Sequence, residues 1–246
     1  IDLSVTTEND ASEPFPPQIV YKGHEDGAQR LGKLAGIPPS DFPDGMGLAT
    51  EQVTLSAHSG THVDAPWHYG PTCEGKPSKR IDEVPLEWMY GPAVVLDFRH
   101  LEPGSNISDD QVKEALAKID HKLAPGEIVC ILTGADKHWM TDNYLPHQSG
   151  LSLEATAYIL DQGVKVIGID GWGVDRPVKR MVEAHKNGEP NALWPAHFYG
   201  RKKEYIQIEK LANLEQVPPT GATICAFPVK VKSGSAGWCR AVAILD

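Results

Sequence analysis

The sequence has 246 residues, of which 41% are hydrophobic and 23% are charged, and its formal net charge is −10. These values are typical of a globular protein with one large α/β domain or two small ones. The negative charge argues against a nucleic-acid partner, because phosphate binding requires a basic surface. No apolar run approaches the ~20 residues that a membrane-spanning helix requires.

The cysteines and the N-terminus bear on the compartment. None of the four cysteines forms a C-x-x-C pair, so we expect reduced thiols rather than a disulfide scaffold or a metal site. The polar start "IDLSVTTEND" has no signal-peptide pattern. We therefore expect a cytoplasmic protein, although the sequence does not begin with Met and the removal of a leader stays open.

The first 50 residues are rich in proline and turn signals, with "PFPP" at 14–17 and "GIPPSDFPDGMG" at 36–47. This composition predicts an irregular N-terminal arm or covering loop over residues 1–50 rather than a separate domain. The alternating stretch "QVTLSAH" (52–58) predicts a strand that runs directly into a cluster of histidines.

The rest of the chain alternates predicted strands and helices. Ser108 and Gln111 form a capping-box pattern at the start of one helix, and Ser152 and Gly163 bound another. The predicted segments are the strands 92–98, 127–133 and 164–170, the helices 108–119 and 152–163, and a closing hairpin of 222–231 and 238–244. This pattern indicates one mixed α/β domain over residues 1–246, without an internal boundary.

The stretch "HSGTHVDAPWH" (58–68) carries the strongest functional signal. Positions two apart on a strand share a face, so His58, His62 and Asp64 can point the same way, and the Gly60-Thr61 step allows a bend. Imidazoles with one carboxylate suit zinc, manganese or iron better than calcium or magnesium. Histidines placed by chance on an exposed strand are the alternative, and the joint spacing favours a metal site.

Other side chains are candidates for the chemistry around the metal. His68 follows Pro66, and a rigid turn there would place it over the metal as a general acid/base. Trp67 and Trp172 are predicted to contact substrate, with core packing as the alternative role of Trp67 and a packed turn with the adjacent glycines as that of Trp172. Asp170 and Asp175 flank "GWG" at a strand end, where site residues are common, although a packed turn explains them equally well.

Residues 58–68 resemble the H-x-G-T-H-x-D-x-P-x-H signature of the cyclase family of metal-dependent hydrolases and match all of its specified positions. The similarity continues in "VIGIDGWGVD" (166–175), "WPAHF" (194–198), "IEKLANL" (208–214) and "FPVKV" (227–231). The resemblance implies a swivelling β/β/α domain with a mixed sheet. It also implies a homodimer or higher homo-oligomer.

The resemblance assigns His58, His62 and Asp64 as ligands of a first metal and His68 as the proton shuttle. In family members with two zinc ions, a later histidine and a glutamate twelve residues after it complete a second site. His197 and Glu209 have this spacing here. Taken alone, His197 is also compatible with a core histidine and Glu209 with a surface residue. The resemblance therefore implies one or two divalent ions, zinc or manganese, with Asp64 as the natural bridge between two.

The function that follows is hydrolysis of an amide or ester bond in a small cyclic or aromatic substrate, by water that a divalent metal activates. The family includes formamidases that act on N-formylkynurenine, isatin hydrolases and lactone hydrolases. The long N-terminal segment favours a cyclic or aromatic amide, lactam or lactone over N-formylkynurenine. The alternatives of another class are a polyketide-type cyclase or dehydratase and a non-catalytic metal-binding protein, and His68 argues against the latter.

Overall fold

A computed structural model describes residues 1–245, and its architecture is built around one eight-stranded sheet. The strands are β1 (Gln18–Lys22), β2 (Thr50–Thr54), β3 (His62–Asp64), β4 (Thr72–Cys73), β5 (Lys76–Pro77), β6 (Tyr90–Asp97), β7 (Asn106–Ile107), β8 (Ile128–Leu132), β9 (Gly150–Leu151), β10 (Val166–Ile169), β11 (Ile206–Glu209), β12 (Ala222–Cys225), β13 (Ala236–Trp238) and β14 (Val242–Leu245). The α-helices are α1 (His24–Ala35), α2 (Pro66–Tyr69), α3 (Asp109–Lys118), α4 (Tyr144–His147), α5 (Leu153–Asp161), α6 (Val178–Lys186) and α7 (Pro195–Tyr199).

The strand order in the central sheet is β13-β3-β11-β10-β8-β6-β12-β14. The four middle strands, β11, β10, β8 and β6, are parallel to one another. The outer strands on both sides, β3 and β13 at one edge and β12 and β14 at the other, run antiparallel to their neighbours. The predicted α/β fold with a mixed sheet is confirmed.

The middle strands are buried on both faces, which explains their continuous apolar sequence. In β8 the side chains alternate, so that Ile128 and Cys130 join one core cluster and Val129 and Ile131 join the other. Helices α3 and α5 cover the second cluster, whereas loops and outer strands enclose the first. The buried middle strands thus form the centre of the sheet, and β3 lies next to one edge of it, paired with β11 on one side and with the edge strand β13 on the other.

The predicted helix signals are confirmed where the caps are local. Ser108 accepts a hydrogen bond from the amide of Gln111, and the Gln111 side chain accepts one from the amide of Ser108, so the capping box starts α3. Ser152 accepts a hydrogen bond from the amide of Ala155 at the start of α5. These contacts join residues three apart, which a sequence pattern can reveal.

The N-terminal 50 residues differ from the predicted irregular arm. They contain the twelve-residue helix α1 and a two-stranded sheet of β1 and β2. Gly36, in the left-handed conformation, ends α1, and Gly27 packs so closely on the backbone of Leu48 that a Cβ would lie 2.3 Å from the carbonyl oxygen. Gly36 and Gly27 thus serve a helix C-cap and a helix–chain contact, and the proline-rich stretches that suggested an irregular arm lie on either side of α1.

The first residues of the chain are also ordered. Leu3 is fully buried, and its backbone bonds to Ala241 and Ala212. The segment therefore lies against the central sheet rather than extending from it.

Two strand predictions are wrong in their bounds. The stretch 52–58 does not run into the histidines, because β2 ends at Thr54 and a turn closed by the Ser59 amide and the Ser56 carbonyl follows. The run 238–244 is not one strand of a hairpin: β13 pairs with β3 at one edge of the sheet, and β14 pairs with β12 at the other. Between them, Ala241 bonds to Leu3, so a long-range partner divides the run.

Two further predictions concern disulfide bonds and membrane-spanning helices, which are described here for residues 1–245. All four cysteines are free, with Cys73 and Cys130 buried. No helix in this part of the chain is both long and apolar enough to cross a membrane.

Candidate metal centre

Strand β3 presents two of the candidate ligands from one face. His62 and Asp64 project to the same side and are fully buried, whereas Val63 between them packs into the core. Gly60 before the strand has φ 60°, a left-handed conformation that favours glycine and turns the chain back. This bend brings His58 from the preceding turn to within 2.8 Å of Asp64, measured from Nδ1 to Oδ1. The predicted convergence is present, although His58 itself is not on a strand.

Glu209 lies at the end of the neighbouring strand, β11. In the antiparallel pairing of β11 with β3, Glu209 lies directly opposite His62, and the His62 Nε2 and Glu209 Oε2 atoms are 3.4 Å apart. A Cβ on Gly173 would lie 3.1 Å from Glu209 Oε1, so a larger residue there would crowd the carboxylate. Glu209 is therefore a buried site residue rather than a surface residue.

Two short helices supply the other histidines. Helix α2 starts at Pro66, and its single turn places His68 Nε2 3.8 Å from Asp64 Oδ2. Helix α7 starts at Pro195 and places His197 Nε2 3.7 Å from the same oxygen. The fixed φ of proline at the first position of a helix favours such abrupt starts.

The two carboxylates divide the histidines into two groups. On one side, His62 Nε2 lies 3.2 Å from Asp64 Oδ1, next to His58. On the other side, His197 Nε2 lies 3.4 Å from Glu209 Oε1, next to Asp64 Oδ2. Asp64 thus offers one oxygen to each group, and Glu209 extends between them.

The donor set fits divalent metal ions. Both oxygens of Asp64 and Oε1 of Glu209 are buried without a hydrogen-bond partner, which is costly for carboxylates unless a cation compensates them. Donors bound tetrahedrally at about 2.0–2.1 Å from one zinc ion lie roughly 3.3 Å apart, close to the separations here. Two metal-capable groups share Asp64: one contains His58 and His68, and the other contains His62 and Glu209.

Hydrogen bonds fix the orientation of the imidazole rings. His62 Nδ1 lies 2.8 Å from the carbonyl oxygen of Gly60, so this nitrogen donates and Nε2 is left as a ligand atom. His58 Nε2 lies 3.0 Å from the hydroxyl of Ser235, which leaves Nδ1 toward Asp64. Such outer partners select the tautomer and the direction of metal-binding histidines.

Asp175 performs the same task for His197 and adds a backbone function. Its Oδ2 lies 2.5 Å from His197 Nδ1, and its Oδ1 accepts a hydrogen bond from the amide of Ala196 at the start of α7. Asp175 is thus a positioning residue. Of the two roles considered for it, these contacts favour a site residue over a residue of a packed turn.

Asp170 lies elsewhere. It accepts hydrogen bonds from the amides of Thr133 and Gly134 and ties the ends of β8 and β10 together. Burial raises its pKa to about 7, against the lowering effect of these bonds. It does not join the metal-capable groups.

The metal-free site is a tightly coupled set of charges. Burial alone would raise the pKa of Asp64, but the neighbouring histidines hold it well below its usual range. Burial would lower the pKa of His62, yet its bonds to Asp64 and Glu209 raise it to about 9. For His68, burial is the largest effect and lowers the pKa, against the attraction of Asp64. Without a metal, protons on the buried imidazoles therefore compensate the carboxylates.

The centre opens into a cavity of about 500 Å³. Four of the metal-capable residues line it, namely His58, His68, His197 and Glu209, together with the apolar residues Phe15, Trp172, Met181, Trp194 and Phe198. Trp172 is thus in the predicted place. Trp67 is not a lining residue in the described chain; the Arg80 guanidinium stacks on its ring at 3.9 Å. Its position after Pro66 turns it outward, whereas the next residue, His68, reaches the cavity.

A buried ion pair that no sequence pattern indicated supports the turn that carries His58. Lys210 and Glu13 have side chains that are 2% and 3% exposed and form a salt bridge. Lys210 also donates to the carbonyl oxygen of His58, and Glu13 accepts from the amide of Gly60. The pair holds the turn from both sides and joins segments almost 200 residues apart, so no local pattern could reveal it.

Gln148 supports the opposite wall. Its amide nitrogen donates to the carbonyl oxygens of Gly173 and Asp175, and its amide oxygen accepts from the backbone of Trp172. The Gln148 side chain thereby fixes the loop that carries both Trp172 and Asp175, the hydrogen-bond partner of His197.

The comparisons with known proteins agree with this site. A family model described as "Putative cyclase" matches residues 1–176. Among curated relatives, the isatin hydrolase of Roseibium aggregatum is 27% identical over 82% of this chain and 77% of its own length. The kynurenine formamidase of Salinibacter ruber is 30% identical over 76% of each chain.

Solved structures share the fold. An isatin hydrolase bound to the product analogue thioisatinate has a TM-score of 0.77, with 22% identity over 100% of this chain and 92% of that one. A structure described as a potential metal-dependent hydrolase with cyclase activity has a TM-score of 0.65, with 19% identity over 99% and 96% of the two chains.

Removal of the Lys210 ammonium tests the supporting ion pair. We expect Lys210→Met to lower the free energy of unfolding by about 3–5 kcal/mol, because Glu13 would be left as an unpaired buried charge. The double variant Glu13→Gln/Lys210→Met should recover part of this loss. Urea denaturation of metal-free protein, followed by circular dichroism, measures both.

Lys113→Met is the matched control, because its ion pairs are exposed on α3 and should contribute little to stability. Equal losses for Lys113→Met and Lys210→Met would contradict the supporting role of the buried pair.

Proposed function

The chain belongs to the cyclase family of metal-dependent hydrolases, and we propose that it cleaves the amide or ester bond of a small cyclic or aromatic substrate. The observation that carries this proposal is the convergence of four histidines and two buried carboxylates on one wall of an apolar cavity. A cavity with apolar walls and a few polar groups at one place is typical of small-molecule sites.

Two metal ions fit the division of the donors. His58, His62 and Asp64 would hold the first ion, and Asp64, His197 and Glu209 would hold the second, with the two oxygens of Asp64 in separate groups. The mixture of imidazoles and carboxylates suits zinc or manganese. Bound there, such ions lower the pKa of water toward ~7 and polarise the substrate carbonyl.

His68 is placed to move the proton. Its side chain is 36% exposed, faces the cavity and makes no direct bond that would fix both ring nitrogens. We assign to it the transfer of a proton from the attacking water to the leaving nitrogen or oxygen. The Asp64 carboxylate, 3.8 Å away, favours the protonated form that arises during this transfer.

The walls favour a ring in the substrate. Trp172, Trp194 and Phe198 offer flat apolar faces next to the metal-capable residues. Aromatic formamides, cyclic amides and lactones all fit such a cavity. The relative named kynurenine formamidase represents the first kind of substrate, and the relative named isatin hydrolase represents the second. We rank a cyclic or aromatic amide or lactone first and N-formylkynurenine second.

The metal content of the protein tests the two-ion assignment. We expect two ions of zinc or manganese per chain, by plasma mass spectrometry on protein purified without chelators or a histidine tag. Glu209→Gln should reduce this to one, because a neutral amide is a weak ligand. Glu114→Gln, on the exposed side of α3, is the control and should retain both.

A single ion in the unmodified protein would remove Glu209 from the ligand set and favour a mononuclear centre. Absence of metal even after reconstitution would contradict the proposed function.

Replacement of His68 separates catalysis from metal binding. His68→Ala should lower kcat by about 10²- to 10⁴-fold, the range for loss of a general acid/base, and leave the metal content unchanged. The assay is hydrolysis of a panel of aryl formamides, cyclic amides and lactones. His185→Ala, exposed on α6, should behave like the unmodified protein.

Full activity of His68→Ala would refute the proton transfer by this residue. Loss of one metal ion would instead make His68 a ligand, as its grouping with His58 and Asp64 allows.

We also propose that the chain forms a homodimer or higher homo-oligomer through the segment 15–54. This segment exposes several large apolar side chains; Leu34 is 85% and Leu48 is 68% exposed, and Tyr21 and Met46 are also uncovered. Apolar side chains grouped in this way are typical of a surface that another protein covers. A second copy of the same chain would bury this face symmetrically.

Light scattering after size-exclusion chromatography tests the assembly. We expect an oligomer for the unmodified chain and a monomer for Leu34→Asp/Leu48→Asp, because burial of a carboxylate in an apolar interface is unfavourable. Leu86→Asp changes an equally exposed leucine outside the segment and should leave the oligomer intact. A monomeric unmodified protein would contradict the proposal.

A further inference from the structure

Arg176 lines the same cavity as His58, His68, His197 and Glu209. Arg176 is one of two lining residues with a permanent positive charge, the other being Lys210. Lys210 is fully engaged by Glu13 and the carbonyl oxygen of His58. Among the cavity-lining residues that the structure describes, Arg176 is therefore the cation whose N–H donors are still available to a ligand.

The charge of Arg176 is only weakly compensated. Its side chain is 17% exposed, and the only ion pair that residues 1–245 offer it is with Glu189, at 3.7 Å between Nη2 and Oε2. This separation is too long for a hydrogen bond, and Glu189 is largely exposed to solvent. The planar guanidinium has five N–H donors arranged to bind a carboxylate in a bidentate manner.

The backbone fixes this guanidinium relative to the metal centre. Arg176 directly follows Asp175, whose carboxylate binds His197. A Cβ on Gly150 would lie 2.1 Å from the amide nitrogen of Arg176, so the two segments are in close contact. Gln148 holds the carbonyl oxygen of Asp175. The start of the side chain is thus anchored on the loop that also positions a metal-capable histidine.

The surroundings of Arg176 are more basic than the chain as a whole. The net charge of the protein is −10, whereas α6, which begins two residues after Arg176, carries Lys179, Arg180 and Lys186 against one glutamate. The first turn of α6 has no acidic residue and no side-chain cap, so the positive end of its dipole is not neutralised. The carboxylates that line the cavity are engaged elsewhere: Glu13 pairs with Lys210, and Asp175 and Glu209 contact His197. The segment around Arg176 therefore carries an excess of positive charge that favours an anion.

We propose that Arg176 binds a carboxylate carried by the substrate, so that the preferred substrates are ring amides or lactones with an acidic group outside the bond that is cleaved. This inference rests on the proposed function and narrows its substrate class. The aromatic wall would hold the ring, and the bidentate pair would fix its orientation. Arg176 would thus discriminate between substrates that the metal centre alone would accept equally.

A matched pair of ligands tests the inference by binding. The probes are ortho-formamidobenzoate and its uncharged isostere ortho-formamidobenzamide, titrated calorimetrically into metal-free protein so that the carboxylate cannot bind a metal. We expect the carboxylate to bind about 10- to 100-fold more tightly, the range for a hydrogen-bonded charge. Arg176→Met should abolish this difference, and Arg180→Met, which removes an exposed charge on α6, should retain it.

Equal binding of both probes by the unmodified protein, or an undiminished preference in Arg176→Met, would overturn the inference. Circular dichroism establishes that each variant is folded. If Arg176→Met does not fold, Glu189→Gln supplies the test: removal of the competing carboxylate should tighten carboxylate binding about two- to threefold and leave the carboxamide unchanged. An unchanged affinity for both probes would count against Arg176.

Hydrolysis of the same pair by metal-loaded protein keeps this inference separate from the proposed function. Cleavage of both probes at equal kcat/KM, with no binding preference, would refute the role of Arg176 and leave the hydrolase assignment intact. Cleavage of neither, with the binding preference present, would contradict cleavage of aromatic amides and leave the anion site intact.

Discussion

The structure of the site depends on one buried carboxylate. Asp64 is inaccessible to solvent, and neither of its oxygens has a hydrogen-bond partner. A carboxylate in such a place is stable only if positive charge surrounds it. In the metal-free protein, the raised pKa of His62 favours an imidazolium that supplies this charge. Divalent ions bound there would supply it more effectively and release those protons, so metal binding would be coupled to the stability of this part of the sheet.

This dependence explains why so much of the chain converges on one short strand. Strand β3 provides only three residues, yet β11 on one side brings Glu209 and β13 on the other covers the turn. Lys210 follows Glu209 directly and anchors the turn that carries His58. Two consecutive residues at the end of one strand thus contribute a metal-capable carboxylate and an ammonium that anchors the turn, and a shift of register by one residue would lose both.

The sequence predicted those features whose physical cause is local. Alternation on β3, the bend at Gly60 and the capping box of α3 depend on residues within four positions of one another, and each is present. The N-terminal helix α1 was missed because the proline-rich stretches on either side of it, 14–17 and 36–47, dominate the composition of this segment. The Glu13–Lys210 pair and the division of the C-terminal run into β13 and β14 depend on partners that only the folded chain brings together. Residue spacing could suggest His197 and Glu209, but only the sheet register explains why Glu209 faces His62.

The charge of the whole molecule is unfavourable for the approach of the proposed substrates. A ring compound with a carboxylate is repelled at long range by a chain of net charge −10. At about 0.15 M salt the screening length is ~8 Å, so the field inside the cavity is set by its own walls. Two divalent ions would more than offset Asp64 and Glu209, and Arg176 adds a further positive charge on the opposite loop. The acidic surface and the local cationic wall are therefore compatible, because they act over different distances: the surface governs solubility and encounter, and the wall governs which ring compounds stay bound.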